Sequence, residues 1–206
     1  ELFVAEAANA GMKVEGHIQT REGARRAIEA GLWSLAHDEP LDDELHKMMA
    51  EKGIFRAGTE TPAAAWSTTS QAAFERRVEL LRNAYDNGVN LTFSTDADYY
   101  IPGMTRGELV IDFIKTWQAA GIPDAKIFEI MTINGYKCAE TYDQRGPIKP
   151  GMAADMIAVP GNPLENIDAL RDVQFVMKDG MVFKRNGVVT PEVFFNAGPV
   201  NGWRIR

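Results

Sequence analysis

The sequence predicts an α/β protein in which a parallel sheet with outer helices is followed by a small β module. Helical runs end at glycines, and a short apolar run of strand length follows each glycine directly. Strands and helices that alternate at this interval are typical of a parallel sheet with helices packed outside it. Near residue 145 proline and glycine become dense and the apolar runs shorten, which indicates a different β architecture.

Composition limits the classes of partner. The 206 residues include 22 Lys and Arg against 29 Asp and Glu, so the net charge is −7 with His neutral. Because nucleic-acid affinity depends on Lys and Arg that neutralise phosphates, we expect no nucleic-acid partner. No stretch of about 18 uncharged apolar residues occurs, so we expect no membrane span. The single Cys138 excludes an internal disulfide and a cysteine-rich zinc site.

The predicted helices begin at residues whose side chains cap a helix. Three helices are expected at residues 21–30, 43–52 and 71–87, behind the capping residues Thr20, Asp42 and Ser70. A fourth follows Thr105 and Glu108, which have the capping-box spacing. The first eight residues also have the pattern of an amphipathic helix, and since no methionine precedes them, we expect a piece of a longer protein.

Four strands are predicted directly after the glycines that end helical runs. They are expected at about residues 13–18, 32–36, 54–59 and 89–94. Glycine suits this position because it adopts the left-handed conformation that stops a helix. These strands form the first predicted unit, residues 1–144.

The second predicted unit, residues 145–206, is the small β module with a C-terminal tail. Strands are expected at residues 156–159, 173–178 and 181–184, and Asp179-Gly180 between the last two is a type I′ hairpin signal. From Asn186 onward the pattern predicts irregular structure.

Two histidines and one aspartate stand at the ends of predicted strands. His17 ends the first, His37 follows the second and Asp96 follows the fourth. Functional residues of parallel α/β sheets collect at the carboxyl ends of strands, so we expect these three side chains to converge. Imidazole nitrogens and a carboxylate are a ligand set for Zn²⁺.

This constellation predicts metal-assisted chemistry, with a structural alternative. A bound metal lowers the pKa of its water to about 7 and polarises a carbonyl, and Asp96 would take the proton of that water. Alternatively, a histidine at a strand end is a hydrogen-bonding residue and an aspartate there caps a helix or forms a turn. His46 lies on a helix expected to be solvated, and we assign it no role.

Five short motifs extend from the first predicted strand into the β module. They are Gly-His at 16–17, Ala-Ile-Glu-Ala-Gly at 27–31, Leu-Ala-His at 35–37, Ser-Thr-Asp at 94–96 and Gly-x-Ile-x-x-Gly-x-x-Ala-Asp at 146–155. Together they resemble the amidohydrolase superfamily, in particular its imidazolonepropionase-like branch with prolidase-type enzymes. The resemblance extends over nearly the whole chain to about Phe183.

The resemblance implies the C-terminal half of a (β/α)₈ TIM barrel, strands five to eight, followed by a small β module. It implies that His17 and His37 are metal ligands from strands five and six, and that Asp96 is the strand-eight ligand and general base. The family's His-x-His pair on strand one and its strand-four ligand have no counterpart in this sequence.

The function expected from this resemblance is metal-dependent hydrolysis of an amide-type C–N bond in a dipeptide or cyclic amide, with one or two divalent ions such as Zn²⁺. Thr61, Tyr99 and Tyr100, in loops after the third and fourth strands, are the candidate substrate contacts. Two alternatives stay open: a non-catalytic half-barrel that binds a partner, and a barrel hydrolase acting by deamination or on a phosphoester. The open edges of a half-barrel sheet would also favour a homo-oligomer.

Overall fold

The parallel sheet is present in the computed structural model, which describes residues 1–37, 40–97 and 100–190. Its strands, in spatial order, are β1 (Glu15–His17), β2 (Ser34–Ala36), β3 (Phe55–Thr59) and β4 (Asn90–Ser94). All neighbouring pairs are parallel. Each strand lies within its predicted range and begins one or two residues later than predicted, so the four strand predictions are confirmed.

Eight α-helices accompany the sheets in the described part of the chain. They are α1 (Leu2–Asn9), α2 (Arg21–Ala30), α3 (Asp43–Lys52), α4 (Gln71–Asp86), α5 (Arg106–Asp112), α6 (Ile114–Ala119), α7 (Asp124–Glu129) and α8 (Gly135–Cys138). The predicted caps are formed: Thr20, Asp42 and Ser70 each accept a hydrogen bond from a backbone N–H in the first turn. The capping box of Thr105 and Glu108 is complete.

Left-handed glycines turn the chain from helix to strand. Gly31 after α2 and Gly53 after α3 have φ of 80° and 68°. A side chain with a Cβ is unfavourable at such angles, and glycine ends the helix without this cost. Both helices therefore stop where the sequence predicts, and the next strand enters the sheet within three residues.

The main core lies between the sheet and the helices. Leu35 of β2 and Leu91 of β4 belong to one cluster of buried side chains, together with Ile28 of α2, Met49 of α3 and Trp117 of α6. Ser34 and Thr92 lie on the opposite face of the sheet, together with Phe55. The face towards the helices is mainly apolar, and Arg56, in register with Leu35 and Leu91, is its charged exception.

His46 is buried, and the expectation that it lies on a solvated face is wrong. Its side chain is on the side of α3 that packs against α4, with Nδ1 2.5 Å from Oδ1 of Asn83. The error arises because Asn83 of α4, 37 residues further along the chain, contacts His46. The polar sequence of this turn of α3 gives no sign of that contact.

The second sheet is antiparallel, in the order β5 (Met156–Ala158), β6 (Phe175–Lys178), β7 (Met181–Arg185) and β8 (Val188–Val189). Asp179 and Gly180 both have positive φ, as a type I′ turn requires. The prediction of irregular structure from Asn186 is wrong at β8, which pairs with the end of β7.

The connection between β5 and β6 packs on the α/β part of the chain. Ile167 and Leu170, in a 3₁₀ segment, are buried in the main core, and the N–H of Ile167 donates to Oδ2 of Asp124 at the start of α7. Buried apolar contacts therefore hold the β module to the α/β part, in addition to the covalent connection between them. No helix within residues 1–37, 40–97 and 100–190 is long and apolar enough to cross a membrane.

Candidate functional site

The imidazoles of His17 and His37 meet at the carboxyl ends of β1 and β2. His17 is the last residue of β1 and pairs in register with Ala36, directly before His37. Nδ1 of His17 lies 3.0 Å from Nε2 of His37, and the ring centroids are 5.0 Å apart. His37 has φ of 69°, an uncommon value for a residue with a Cβ. The turn after β2 thus brings together the two histidines that the strand-end pattern predicts to converge.

Thr59, at the end of β3, continues this line of contacts. Its Oγ1 lies 3.2 Å from Nδ1 of His37, on the other side of the ring from His17. A hydroxyl both donates and accepts hydrogen bonds, so Thr59 suits either tautomer of His37. The side chains of three neighbouring strand ends therefore form one connected row.

Asp96 lies beyond the end of β4, in the wall of a cavity of about 530 Å³. Its backbone, like that of His37, is left-handed, with φ of 44°. The same cavity is lined by His37 after β2, by Thr59 at the end of β3, by Glu60 and Thr61 in the following loop, and by Arg77 of α4. The structure thus brings His37 and Asp96 to one cavity, with His17 against His37. Within the described ranges, however, no three or more His, Cys, Asp or Glu side chains are grouped closely enough to hold a metal ion.

The three candidate substrate contacts have different surroundings. Thr61 lines the cavity. Tyr100 is 74% exposed. Tyr99 lies outside the described residues.

Arg77 is a cavity residue that the strand-end argument misses. It lies in the second turn of α4, and its Nη1 donates to the backbone carbonyl of Thr59 at 2.9 Å. The only signal in the sequence is its place soon after the loop that follows β3. A cation on a helix is ordinarily solvated, so this signal is weak.

A buried ion pair stands beside the cavity. Nη1 of Arg56 in β3 lies 2.8 Å from Oε1 of Glu60, and both side chains are completely buried. Gly58 lies between them, where an added Cβ would be 2.3 Å from each of these two atoms. The sequence signal is a charged residue inside an otherwise apolar strand, followed by glycine and glutamate at alternate positions.

Arg21 and Cys138 have their polar contacts away from this cavity. Arg21, four residues after His17, forms ion pairs of 2.6 Å with Asp42 and Glu44, and these hydrogen bonds raise the pKa of its guanidinium. Burial raises the pKa of the half-buried Cys138 thiol, which is hydrogen-bonded to Ser34. A raised pKa disfavours the thiolate, which is the reactive form, so these surroundings do not activate Cys138 as a nucleophile.

Residues 1–183 match the model of the Amidohydrolase family. This chain belongs to the amidohydrolase family. The resemblance seen in the sequence motifs is therefore confirmed. Among curated proteins, this amidohydrolase chain is 26% identical to ochratoxinase of Aspergillus niger over 204 aligned residues, which cover 91% of the chain and 41% of that protein.

Solved structures similar to this chain also include amidohydrolase-type enzymes, and each of the following matches covers less than half of the solved chain. A Xaa-Pro dipeptidase with bound methionine is 30% identical with a TM-score of 0.74, and the match covers 88% of this amidohydrolase chain and 47% of that one. The A. niger ochratoxinase structure is 27% identical with a TM-score of 0.68, over 91% and 45% of the two chains. Phenylurea hydrolase B, 20% identical with a TM-score of 0.75 over 89% and 46%, shares the fold. The chain thus spans less than half the length of these relatives.

Proposed function

We propose that this chain supplies three metal ligands, one of which is also the general base, of an enzyme that hydrolyses an amide-type C–N bond. In this proposal β1–β4 are strands five to eight of a (β/α)₈ barrel in residues 1–144, followed by the β module in 145–206. The contact between His17 and His37 carries the proposal, because it joins two nitrogen donors at adjacent strand ends beside the cavity that holds Asp96.

The histidine pair suits a divalent metal. Zinc holds imidazole nitrogens at 2.0–2.1 Å in tetrahedral geometry, which separates two such nitrogens by about 3.3 Å. Nδ1 of His17 and Nε2 of His37 are 3.0 Å apart and face each other, so the two donors are close enough to share one ion towards which both rings would turn. The two histidines would hold Zn²⁺ or a similar ion, with Asp96 as a further ligand and the remaining ligands from outside this sequence. When bound, such an ion supplies Lewis-acid activation of water and of the scissile carbonyl.

Asp96 moves the proton in the proposed reaction. Its carboxylate accepts a proton from the water whose oxygen attacks the carbonyl carbon, and then delivers that proton to the leaving nitrogen as the C–N bond breaks. The products are a carboxylic acid and an amine. Thr59 holds the ring of His37 through Nδ1, which fixes the direction in which Nε2 points.

The size of the cavity favours a small substrate. About 530 Å³ falls within the range of small-molecule sites, roughly 300–1,000 Å³. A dipeptide or a cyclic amide belongs to this size class, and the name of one relative, Xaa-Pro dipeptidase, is in keeping with a dipeptide. Thr61 in the cavity wall, with Tyr99 and Tyr100 after β4, are the proposed substrate contacts.

Metal content and turnover of the protein from the full reading frame test the proposal. We expect the parent to contain zinc or another divalent ion by mass spectrometry, and the double variant His17→Ala/His37→Ala to lose it while its circular dichroism spectrum is unchanged. Asp96→Asn should keep its fold and lose turnover of dipeptides and cyclic amides by at least about a hundredfold, the usual contribution of general-base catalysis.

The two alternative functions predict different results in these measurements of metal content and turnover. A folded parent that takes up no metal, even when zinc is offered, would contradict the hydrolase and favour the half-barrel binding module. A metal-loaded parent that leaves amides intact but deaminates a substrate or cleaves a phosphoester would contradict the amide substrate and retain the metal centre.

A further inference from the structure

The loop between β3 and α4 forms part of the cavity wall. Glu60, Thr61 and Ala65 from this loop line the cavity, and its centre is a short 3₁₀ segment, Ala63–Thr68. Surface loops are ordinarily more mobile than the elements they connect. A loop that positions a substrate therefore needs side chains from a rigid element to hold it.

Thr116 of α6 holds this loop through both functions of its hydroxyl. Oγ1 donates a hydrogen bond to the backbone carbonyl of Thr61 and accepts one from Nε1–H of Trp66 at 3.3 Å. The residue is completely buried. A hydroxyl within a helix often bonds back to its own helix, as that of Thr132 does to the carbonyl of Phe128 at 2.7 Å. Thr116 instead directs both contacts to the loop.

Asp112 of α5 provides a second attachment. Its Oδ2 accepts the backbone N–H of Ala64 at 2.5 Å, and its Oδ1 lies 3.1 Å from Nζ of Lys115. The side chain is almost completely buried, and an ionised acceptor makes a stronger hydrogen bond than a neutral one. The loop is thus held at Thr61, Ala64 and Trp66, three places within six residues.

These attachments join two strand ends of the candidate site. The loop follows β3, whereas α5 and α6 follow β4 and the residue Asp96. We propose that Thr116 is a positioning residue that fixes Thr61 and Ala65 in the cavity wall relative to Asp96. The bound substrate then has its scissile bond correctly placed relative to the reacting groups. This inference rests on the proposed amide hydrolysis.

The substitution Thr116→Val in the full-length, metal-loaded protein tests the inference. Valine has the shape of threonine but leaves the Thr61 carbonyl and the Trp66 indole without this hydroxyl. We expect KM for the hydrolysed dipeptide or cyclic amide to rise about tenfold, with kcat and metal content nearly unchanged. Thr116→Ser keeps the hydroxyl and should restore the parent KM.

Hydrogen exchange gives a readout that does not depend on activity. Amides in a peptide covering residues 60–69 should exchange faster in Thr116→Val than in the parent, and at the parent rate in Thr116→Ser. The matched control is Thr132→Val, which removes a helical hydroxyl bond elsewhere and should change neither KM nor exchange in residues 60–69.

The results separate this inference from the proposed function. Unchanged exchange of residues 60–69 in Thr116→Val would overturn the attachment, whether or not the parent is active. An equal rise of KM in Thr132→Val, or a loss confined to kcat in Thr116→Val, would overturn the positioning role. A parent inactive on amides would overturn the proposed function and the substrate role of Thr116 with it, and the exchange data would still decide the attachment of the loop.

Discussion

The guanidinium of Arg56 and the carboxylate of Glu60 form a 2.8 Å ion pair with both side chains completely buried. A buried ion pair is weak evidence of net stability, since desolvation of the two charges offsets much of their attraction. Its effect here is geometric. Glu60 is the first residue after β3 and lines the cavity, so the pair fixes the point where the chain leaves the sheet and enters the loop between β3 and α4.

Gly58→Ala should destabilise the protein through this pair. The new Cβ would meet Nη1 of Arg56 and Oε1 of Glu60 at 2.3 Å, so at least one of these paired side chains must shift and the 2.8 Å ion pair is disturbed. Overpacking of this kind costs about 1–3 kcal/mol in the free energy of unfolding, measured by urea denaturation. Gly107→Ala is the control, because a Cβ in that helical position meets nothing within 4 Å and should be neutral or slightly stabilising. Equal stability of Gly58→Ala and the parent would contradict the close approach.

Asp42 combines a helix cap with an ion pair, and two substitutions separate these roles. Oδ1 accepts the N–H of Leu45 at 3.0 Å, and Oδ2 lies 2.6 Å from Nε of Arg21. Asp42→Ala removes both contacts and should cost about 1–2 kcal/mol by urea denaturation, the usual range for a lost cap. Asp42→Asn keeps a capping oxygen, and because exposed ion pairs contribute little, its loss should be under about 1 kcal/mol. A loss in Asp42→Asn as large as that in Asp42→Ala would contradict this and show that the charge, which both variants remove, dominates.

The elements that the sequence predicts well are those with local causes. The bounds of α2 and α3 follow from Thr20, Gly31, Asp42 and Gly53, because a cap and a left-handed glycine act within one turn of the residues that they stop. The convergence of His17 and His37 follows from topology, since adjacent parallel strands end at the same edge.

What the sequence does not reveal depends on contacts between distant elements. His46 is buried by α4, Arg77 reaches the cavity from a helix, and Thr116 bonds a loop 55 residues earlier in the chain. Each of these residue types is common on solvated helix surfaces. Only the packing of the helices distinguishes these three residues from solvated residues of the same types.

Stability of the β module should depend on pH through Asp155. The N–H of Asp179 donates to its carboxylate at 2.7 Å and Arg145 pairs with it, and these contacts hold the pKa of Asp155 below its usual range despite its burial. A carboxyl whose pKa is lower in the folded state contributes stability above its unfolded pKa of about 3.9 and loses it as pH falls through the folded pKa.

Asp155→Asn should therefore lower the free energy of unfolding by about 1–2 kcal/mol at pH 7 and by less at pH 3. Urea denaturation at both values, followed by near-ultraviolet circular dichroism, measures this difference. Asp143→Asn alters an exposed carboxyl nearby and should have little effect at pH 7. A penalty for Asp155→Asn that grows towards acid pH would contradict this linkage.

Thr59 should determine how tightly the histidine pair holds a metal. Its Oγ1 lies 3.2 Å from Nδ1 of His37, and groups that orient a ligand histidine typically change metal affinity by 10–100-fold. Thr59→Val removes the hydroxyl and keeps the shape, so the full-length protein should bind zinc about tenfold more weakly in a competition titration with a chelator. Thr59→Ser keeps the hydroxyl and should retain the parent affinity. Equal zinc affinity in Thr59→Val and the parent would show that His37 is oriented by its backbone turn alone.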